Sequence, residues 1–282
     1  MNSTLLAFHG LKWNPFSPEI PTEALHVAPR IENFCRRVEL LAREGGFALL
    51  TGEPGVGKSA ALRLLVERLS SHRDFQVGIL TRPQSSVPDF YRELGELFGV
   101  HLSPHNRWAS SRVLRERWQT HIEASLLRPI LVVDEAQEMK PAALNELRLL
   151  STADLDSRAL LTVVLAGDSR LPDRFRAPEL LALGSRMRIR LTLSPDTPHE
   201  LADCLRHVLD QAGNSKLMTP ELLITLAEHA AGNHRILMNI ANELLDAAVQ
   251  REVKQIDEKL YLELFSVPTG AERGRGKATT SR

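Results

Sequence analysis

Cysteine is scarce in this chain: Cys35 and Cys204 are the only two in 282 residues. They stand too far apart for a disulfide framework or a zinc-binding spacing, so a reducing compartment is the simplest setting. Cys204 shares a helical register with Leu201, Leu205 and Val208 and is expected in a core; Cys35 has no evident partner. Long apolar runs are also missing. None approaches the ~20 residues needed to cross a bilayer. The opening MNSTLLAFHGLKWNPF lacks a cationic start, an apolar stretch of adequate length and a small-residue cleavage site, so the expected location is cytoplasmic. Net charge is absent too: 35 basic residues balance 35 acidic ones. Attraction to nucleic acid or to a membrane therefore has to come from a local surface. With 43% hydrophobic and 25% charged residues, the chain has the composition of an ordinary globular protein, long enough for one large or two modest domains with a sizeable core.

What the chain does contain is centred on residues 47–59, FALLTGEPGVGKS. Four apolar residues, Phe47 to Leu50, lead into Gly52-Glu53-Pro54-Gly55-Val56-Gly57-Lys58-Ser59, which fits the phosphate-binding loop G-x-x-x-x-G-K-[ST]. A buried strand delivers the chain to a tight turn, and glycines let backbone N–H groups surround an anion. A helix then begins near Gly57 and runs on through Ala60, with its positive end towards the phosphates. Lys58 is the candidate for the β- and γ-phosphates, and the Ser59 hydroxyl for Mg²⁺. A glycine-rich turn that binds nothing is the alternative. The apolar strand before the octet and the helix pattern after it argue against that.

Around this centre the pattern alternates. Residues 1–28 carry Pro15, Pro18 and Pro21 and are expected to be irregular, with Phe8, Trp13 and Phe16 packing the segment onto the core near the nucleotide. Three- and four-residue spacing predicts helices over 30–43, 88–98, 107–127 and 141–150, with a short one near 178–183. Strands are expected at 47–51, 75–81, 130–134, 160–166 and 186–193, the last at an edge because its polar and apolar residues alternate. After Ser194 only helices follow, at about 197–212, 219–230, 233–251 and 256–265, and Thr197-Pro198-His199-Glu200 reads as a capping box. The tail from Pro268 is expected to be disordered. The fold class is therefore α/β, a P-loop NTPase with a parallel sheet flanked by helices over 29–193, then a small all-helical lid over 194–266 and a tail over 267–282.

The strand ILVVD ends in Asp134 and Glu135. The first acid suits Mg²⁺ and the second suits a general base for the attacking water. No Asn-Lys-x-Asp run offers a guanine-specific acid, and the acid pair followed by a lid favours hydrolysis over kinase chemistry.

These pieces together resemble an AAA+ ATPase, in the group that holds the general secretion pathway A-type ATPases and the transposon helper ATPases of the TniB and TnsC kind. The resemblance rests on Phe8-His9-Gly10-Leu11-Lys12-Trp13-Asn14-Pro15-Phe16, the phosphate loop, Leu131–Gln137 (LVVDEAQ), Ala166-Gly167-Asp168, Ser185-Arg186-Met187-Arg188-Ile189 and Gly232-Asn233-His234-Arg235. It implies ATP and Mg²⁺ as cofactors. It places Asn14, Pro15 and Phe16 near the adenine, and Asp168, or its neighbour Ser169, at the position that senses the γ-phosphate. Arg235 would reach in from the lid. Arg186, with Arg188 second, would be a finger completing a neighbouring subunit's site, which requires a homo-oligomer, ring or filament. Each of these arginines also has the plainer reading of a surface ion pair.

For the use of the ATP, two classes compete: a transposition helper that assembles on duplex DNA and recruits a transposase, or a secretion-type assembly ATPase without nucleic acid; a helicase loader and a signalling ATPase stay open beside them. The chain stops near the lid and shows no membrane span, which favours the first. Between 101 and 128 five arginines (Arg107, Arg112, Arg115, Arg117, Arg128) face two acids (Glu116, Glu123), and between 168 and 190 six (Arg170, Arg174, Arg176, Arg186, Arg188, Arg190) face three (Asp168, Asp173, Glu179). Such clusters can track a phosphate backbone without reading bases, or form solvated faces and intersubunit pairs. Trp108 and Trp118, at helical spacing in the first cluster, are expected in the core. The tail adds Arg273, Arg275, Lys277 and Arg282 against Glu272.

Overall fold

The computed structural model describes residues 3–103, 105–153 and 157–265; the tail expected to be disordered lies outside them. In chain order the strands are β1 (Gly46–Gly52), β2 (Phe75–Leu80), β3 (Arg128–Val133), the two-residue β4 (Thr152–Ala153) and β5 (Arg158–Ala159), β6 (Thr162–Gly167) and β7 (Met187–Leu193). The short β4 and β5 pair antiparallel. The other five form one parallel sheet in the order β2-β3-β6-β1-β7. Parallel pairing follows from the crossovers, each of which carries helix: α3 (Lys58–Ser71) after β1, α4 (Val87–Phe98) and α5 (Arg107–Ser125) after β2, α6 (Pro141–Leu150) after β3, and α7 (Arg170–Arg174) with α8 (Leu181–Gly184) after β6. The short helix expected near 178–183 is α8, and α7 precedes it where a loop was expected.

The central strands are apolar throughout because both of their faces are covered. Leu49, Leu131, Val133, Val163 and Leu165 point towards α4, α5 and α6. Ala48, Leu50, Ile130, Val132, Val164 and Ala166 point the other way, towards α2 (Pro29–Glu44) and α3. β7 lies at an edge, as its alternation predicts, and exposes Arg188, Arg190 and Thr192. Charge on an edge strand discourages further strand pairing.

The lid consists of α9 (Pro198–Ala212), α10 (Pro220–Ala230), α11 (His234–Gln250) and α12 (Glu258–Phe265). Both bonds of the Thr197–Glu200 capping box are formed. No helix among the described residues is long and apolar enough to cross a membrane.

The N-terminal segment differs from expectation in two ways. Ser3–His9 is a helix, α1: the prolines that forbid helix begin only at Pro15, so their argument does not extend back to it. The segment also packs on the lid rather than on the sheet. Leu11, Phe16 and Ile20 join the lid's apolar cluster, with Trp13 against it, while Phe8 is 41% exposed. Lys12 donates its backbone N–H to Ala212 O at 2.8 Å, and Asn14 Nδ2 donates to Asn242 Oδ1 at 2.6 Å. Arg63 on α3 then grips the same segment from the other side, donating to Pro18 O and Ile20 O at 2.7 and 2.5 Å.

Candidate nucleotide site

Parallel strands end on the same side, so the loops after β1, β3 and β6 converge. Register makes this concrete: Thr51 pairs with Gly167, and Val133 with Leu165. Asp168 therefore leaves the sheet next to the phosphate loop, with Asp134 and Glu135 one strand further along. A cavity of about 480 Å³ opens here, and the lid closes its other side with His234, Arg235 and Met238.

The loop has the expected conformation. Gly55 and Gly57 take φ of +89° and +97°, which an L side chain rarely adopts. Lys58 starts α3 and is 7% exposed; its ammonium donates to Gly52 O and Glu53 O at 2.7 and 3.0 Å. No carboxylate is among these partners, so a buried cation faces the cavity with only neutral acceptors. Such a charge is costly without an anion, and the free N–H groups of α3 add to the same demand. Ser59 Oγ donates to Asp134 Oδ2 at 3.2 Å, which brings together the two expected Mg²⁺ ligands. Magnesium keeps several waters and needs few protein oxygens besides those of the phosphates, so the pair fits that ion.

Pro54, Gly55, Gly57, Lys58, Ser59 and Ala60 line the cavity, and so do Glu135, Asp168, Arg235 and Phe16. Gly52 and Glu53 act behind them through their carbonyls. Val56 is buried and packs against Gly52, where a Cβ would meet Val56 Cγ2 at 2.8 Å. Asn14 and Pro15, expected near the adenine, are buried and do not line the cavity. Asn14 instead shapes the turn that presents Phe16, because its Oδ1 accepts from the Phe16 N–H at 2.9 Å while its amide holds α11.

Arg186 lies elsewhere. It precedes β7, whose Met187 pairs with Phe47 at the start of β1, whereas the phosphate loop follows the end of β1. With strand residues spaced ~3.3 Å apart, the sheet's own length separates Arg186 from the loop of its own chain. It borders a second cavity, of about 310 Å³, with Gly45 and Arg188. Arg188 is engaged locally, donating to Glu44 Oε2 at 2.9 Å and to Gly45 O at 3.3 Å.

Asp168 accepts from Arg170 Nε at 2.8 Å and from the Arg170 N–H at 3.0 Å, and Arg170 also pairs with Glu138 at 2.9 Å. The hydrogen bond from Arg170 holds the Asp168 carboxyl below the usual carboxylate range. Glu135 has a left-handed backbone, φ 51° and ψ 39°, a conformation that non-glycine residues take mainly where surrounding structure enforces it.

Two contributors were not legible as such. Asn233 caps α11, its Oδ1 accepting from the Arg235 and Ile236 N–H groups at 3.0 and 3.1 Å, while its Nδ2 donates to Pro54 O at 3.1 Å. The His234 N–H donates to Gly55 O at 2.9 Å. The lid helix thus rests directly on the phosphate loop, and a Cβ at Gly55 would lie 2.1 Å from Asn233 Oδ1. An Asn before a helical run is a readable cap; its second contact is not. Below it, His234 Nε2 lies 2.8 Å from Asp196 Oδ2, and Arg30 pairs with the same carboxylate. Cys204 sits behind His234, but burial pushes its thiol up to about 12, and that of Cys35 to about 11, which makes both inert.

The α5 arginines do not form one surface. Arg107 pairs with the buried Glu146 at 2.5 Å, and Tyr91 Oη donates to the same carboxylate at 2.6 Å. Arg112 stacks over Trp108, 5.0 Å from the ring centre, and shares a cleft with Arg115 and Gln119. Arg117 lies on the opposite flank of the helix, since Leu114, Trp118 and Ile122 define the buried face between them. Trp118 is fully buried as expected, but Trp108 is 70% exposed.

An AAA domain family model matches residues 41–175. General secretion pathway protein A of Aeromonas hydrophila is 30% identical over 249 residues, which cover 86% of this chain and 45% of that protein. The chain thus spans about half the length of this curated relative. Among solved structures, Aeropyrum pernix ORC2 (ADPNP-ADP complexes) superposes with a TM-score of 0.70 at 15% identity, covering 89% of this chain and 70% of that one. Aeropyrum pernix ORC1 in complex with DNA gives 0.65 at 23%, covering 88% and 67%. At these identities the likeness concerns the fold.

Proposed function

On the premise that this chain carries an AAA domain on the P-loop AAA+ fold, we propose that it hydrolyses ATP to ADP and phosphate and uses the nucleotide to switch its own assembly. The observation that carries this is the meeting of three strand ends with a lid helix around one cavity, with Ser59 and Asp134 already paired at 3.2 Å. In this reading the Lys58 ammonium leaves its two backbone carbonyls for the β- and γ-phosphates. Ser59 and Asp134 hold the Mg²⁺, which supplies charge neutralisation at the phosphates when bound. Glu135 takes the proton of the attacking water, Asp168 and Arg235 sense the γ-phosphate from the sheet and the lid, and Phe16 with Met238 borders the base. Arg186, across the sheet from its own loop, serves the site of a neighbouring protomer, so the working form is a homo-oligomer.

Two clients remain. The first is duplex DNA in the cytoplasm, with a transposase as the partner recruited. It draws on the Trp108–Arg112–Arg115 face, a stacking group beside two cations that share their cleft with Glu116, paired with Arg112 at 3.4 Å. The second is protein assembly of the secretion kind without nucleic acid, and the 30% identity to general secretion pathway protein A favours it. One experiment separates them. The protein with a non-hydrolysable ATP analogue is tested for retention of duplex DNA across a salt titration. Retention that depends on the analogue and falls steeply with salt supports the first client, and its absence at low salt rejects it. Magnesium-dependent ATP turnover tests the common ground.

A further inference from the structure

We infer that Gln137 is a positioning residue for hydrolysis, tying the carboxylate of Glu135 to the backbone of Asp168 across the ends of β3 and β6. The inference rests on the ATPase reading above and adds a residue to it. Gln137 is 7% exposed. Its Nε2 donates to Glu135 Oε2, and its Oε1 accepts from the Asp168 N–H at 3.2 Å. The second bond fixes the sense of the first: a backbone N–H only donates, so the amide oxygen faces Asp168 and the NH₂ faces Glu135. One rigid, planar amide therefore sets the spacing between the expected base and the expected sensor position.

The surroundings are built around this tie. A Cβ at Gly167 would lie 2.4 Å from Gln137 Oε1, so only glycine lets the amide approach the end of β6. Arg174 donates to the carbonyl of Gln137 and, at 2.7 Å, to that of Met139, which fixes the backbone from which the amide projects. Glu135 itself needs outside support, since its left-handed backbone sends the side chain in a direction that the strand before it would not. With Oε2 occupied by Gln137, Oε1 is left to accept the proton of the water. A displacement of Asp168 on phosphate binding passes to the base through one side chain, which gives the sensor position a physical route to the chemistry.

The test is a mutant cycle read by turnover at saturating Mg-ATP and by the affinity of a fluorescent ATP analogue. Gln137→Met keeps the length and removes both hydrogen bonds; Gln137→Asn keeps the amide but falls short of one partner. Because general-base catalysis is worth ~10²–10⁴-fold and a misplaced base loses part of that, Gln137→Met should lower kcat about tenfold or more, with analogue affinity within about twofold. In a Glu135→Gln background the same change should alter kcat less than about twofold, because the group it positions is gone. An equal loss in both backgrounds, a parallel loss of nucleotide affinity, or normal turnover in Gln137→Met overturns the tie. If Gln137→Met does not fold, full activity in Gln137→Asn overturns it instead. Absence of Mg-ATP turnover in the unmutated protein overturns the ATPase reading itself; normal turnover in Glu135→Gln overturns the base assignment and the tie with it, whereas slow turnover there beside normal turnover in Gln137→Met overturns only the tie.

Discussion

The ends of the central strands and the arginine-rich helix α5 behave in opposite ways. At the strand ends, residues far apart in sequence converge: Ser59 and Asp134, separated by 75 positions, are within hydrogen-bond distance. On α5, residues close in sequence diverge, and Arg107, Arg112 and Arg117 serve a buried acid, an exposed tryptophan and the opposite flank. A parallel sheet collects its loops on one side whatever their spacing, whereas a helix spreads neighbours 100° apart around its axis. A charge count along a stretch of sequence is therefore not a surface, while a polar residue ending an apolar strand has a predictable address.

The contrast can be broken at several points. The largest effect belongs to the converging side. Lys58→Ala should abolish binding of a fluorescent ATP analogue, and Glu135→Gln should bind it normally while turnover falls by ~10²-fold or more; normal turnover would remove the base assignment. Next comes Arg107→Ala, which leaves the carboxylate of buried Glu146 with Tyr91 alone. With the arginine side chain 60% exposed, the cost should be about 2 kcal/mol in denaturant unfolding, and a loss confined to DNA binding would instead return Arg107 to the exposed face. Third, Arg112→Ala and Arg115→Ala should each weaken analogue-dependent DNA retention and lower its salt slope by about one, with Arg117→Ala closer to wild type; equal slopes for all three would restore a single arginine surface. The smallest is Asn233→Ala, which removes a helix cap worth about 1 kcal/mol and the amide contact to Pro54. Thermal melting and analogue affinity should both drop modestly, and unchanged affinity would separate the cap from the lid contact.

Much of the fold was legible because its signals are local and redundant. FALL, ILVV and VVLA are continuous apolar runs that suit strands covered on both faces, and Gly55 and Gly57 mark the loop that follows the first. The capping box at Thr197 fixed the start of the lid. The phase of α5 was also within reach, since Leu114, Trp118 and Ile122 name its inner face and leave Trp108 outside. The α1 helix is masked by its neighbourhood, because Ser3–His9 precedes the dense prolines that begin at Pro15. Gln137 stands in the LVVDEAQ motif, but its role carries no signal there: its two bonds depend on where β6 ends, and nothing within β3 encodes that. The site of Asn14 was hidden for a similar reason, because its partner, Asn242, lies 228 residues away.

That last contact has a consequence for how the chain acquires its structure. The lid's apolar cluster is assembled from residues 11–20 and from residues 201–261, with the whole sheet made between them. Asn214 binding His9 O across 205 positions repeats the pattern. Contacts of such sequence separation form late and carry a large loop-closure cost. The sheet can therefore condense first during synthesis, while the early segment, held by Arg63 on one side, lacks its lid partners until they are translated. The lid, translated after the sheet, is the unit that rests on the phosphate loop.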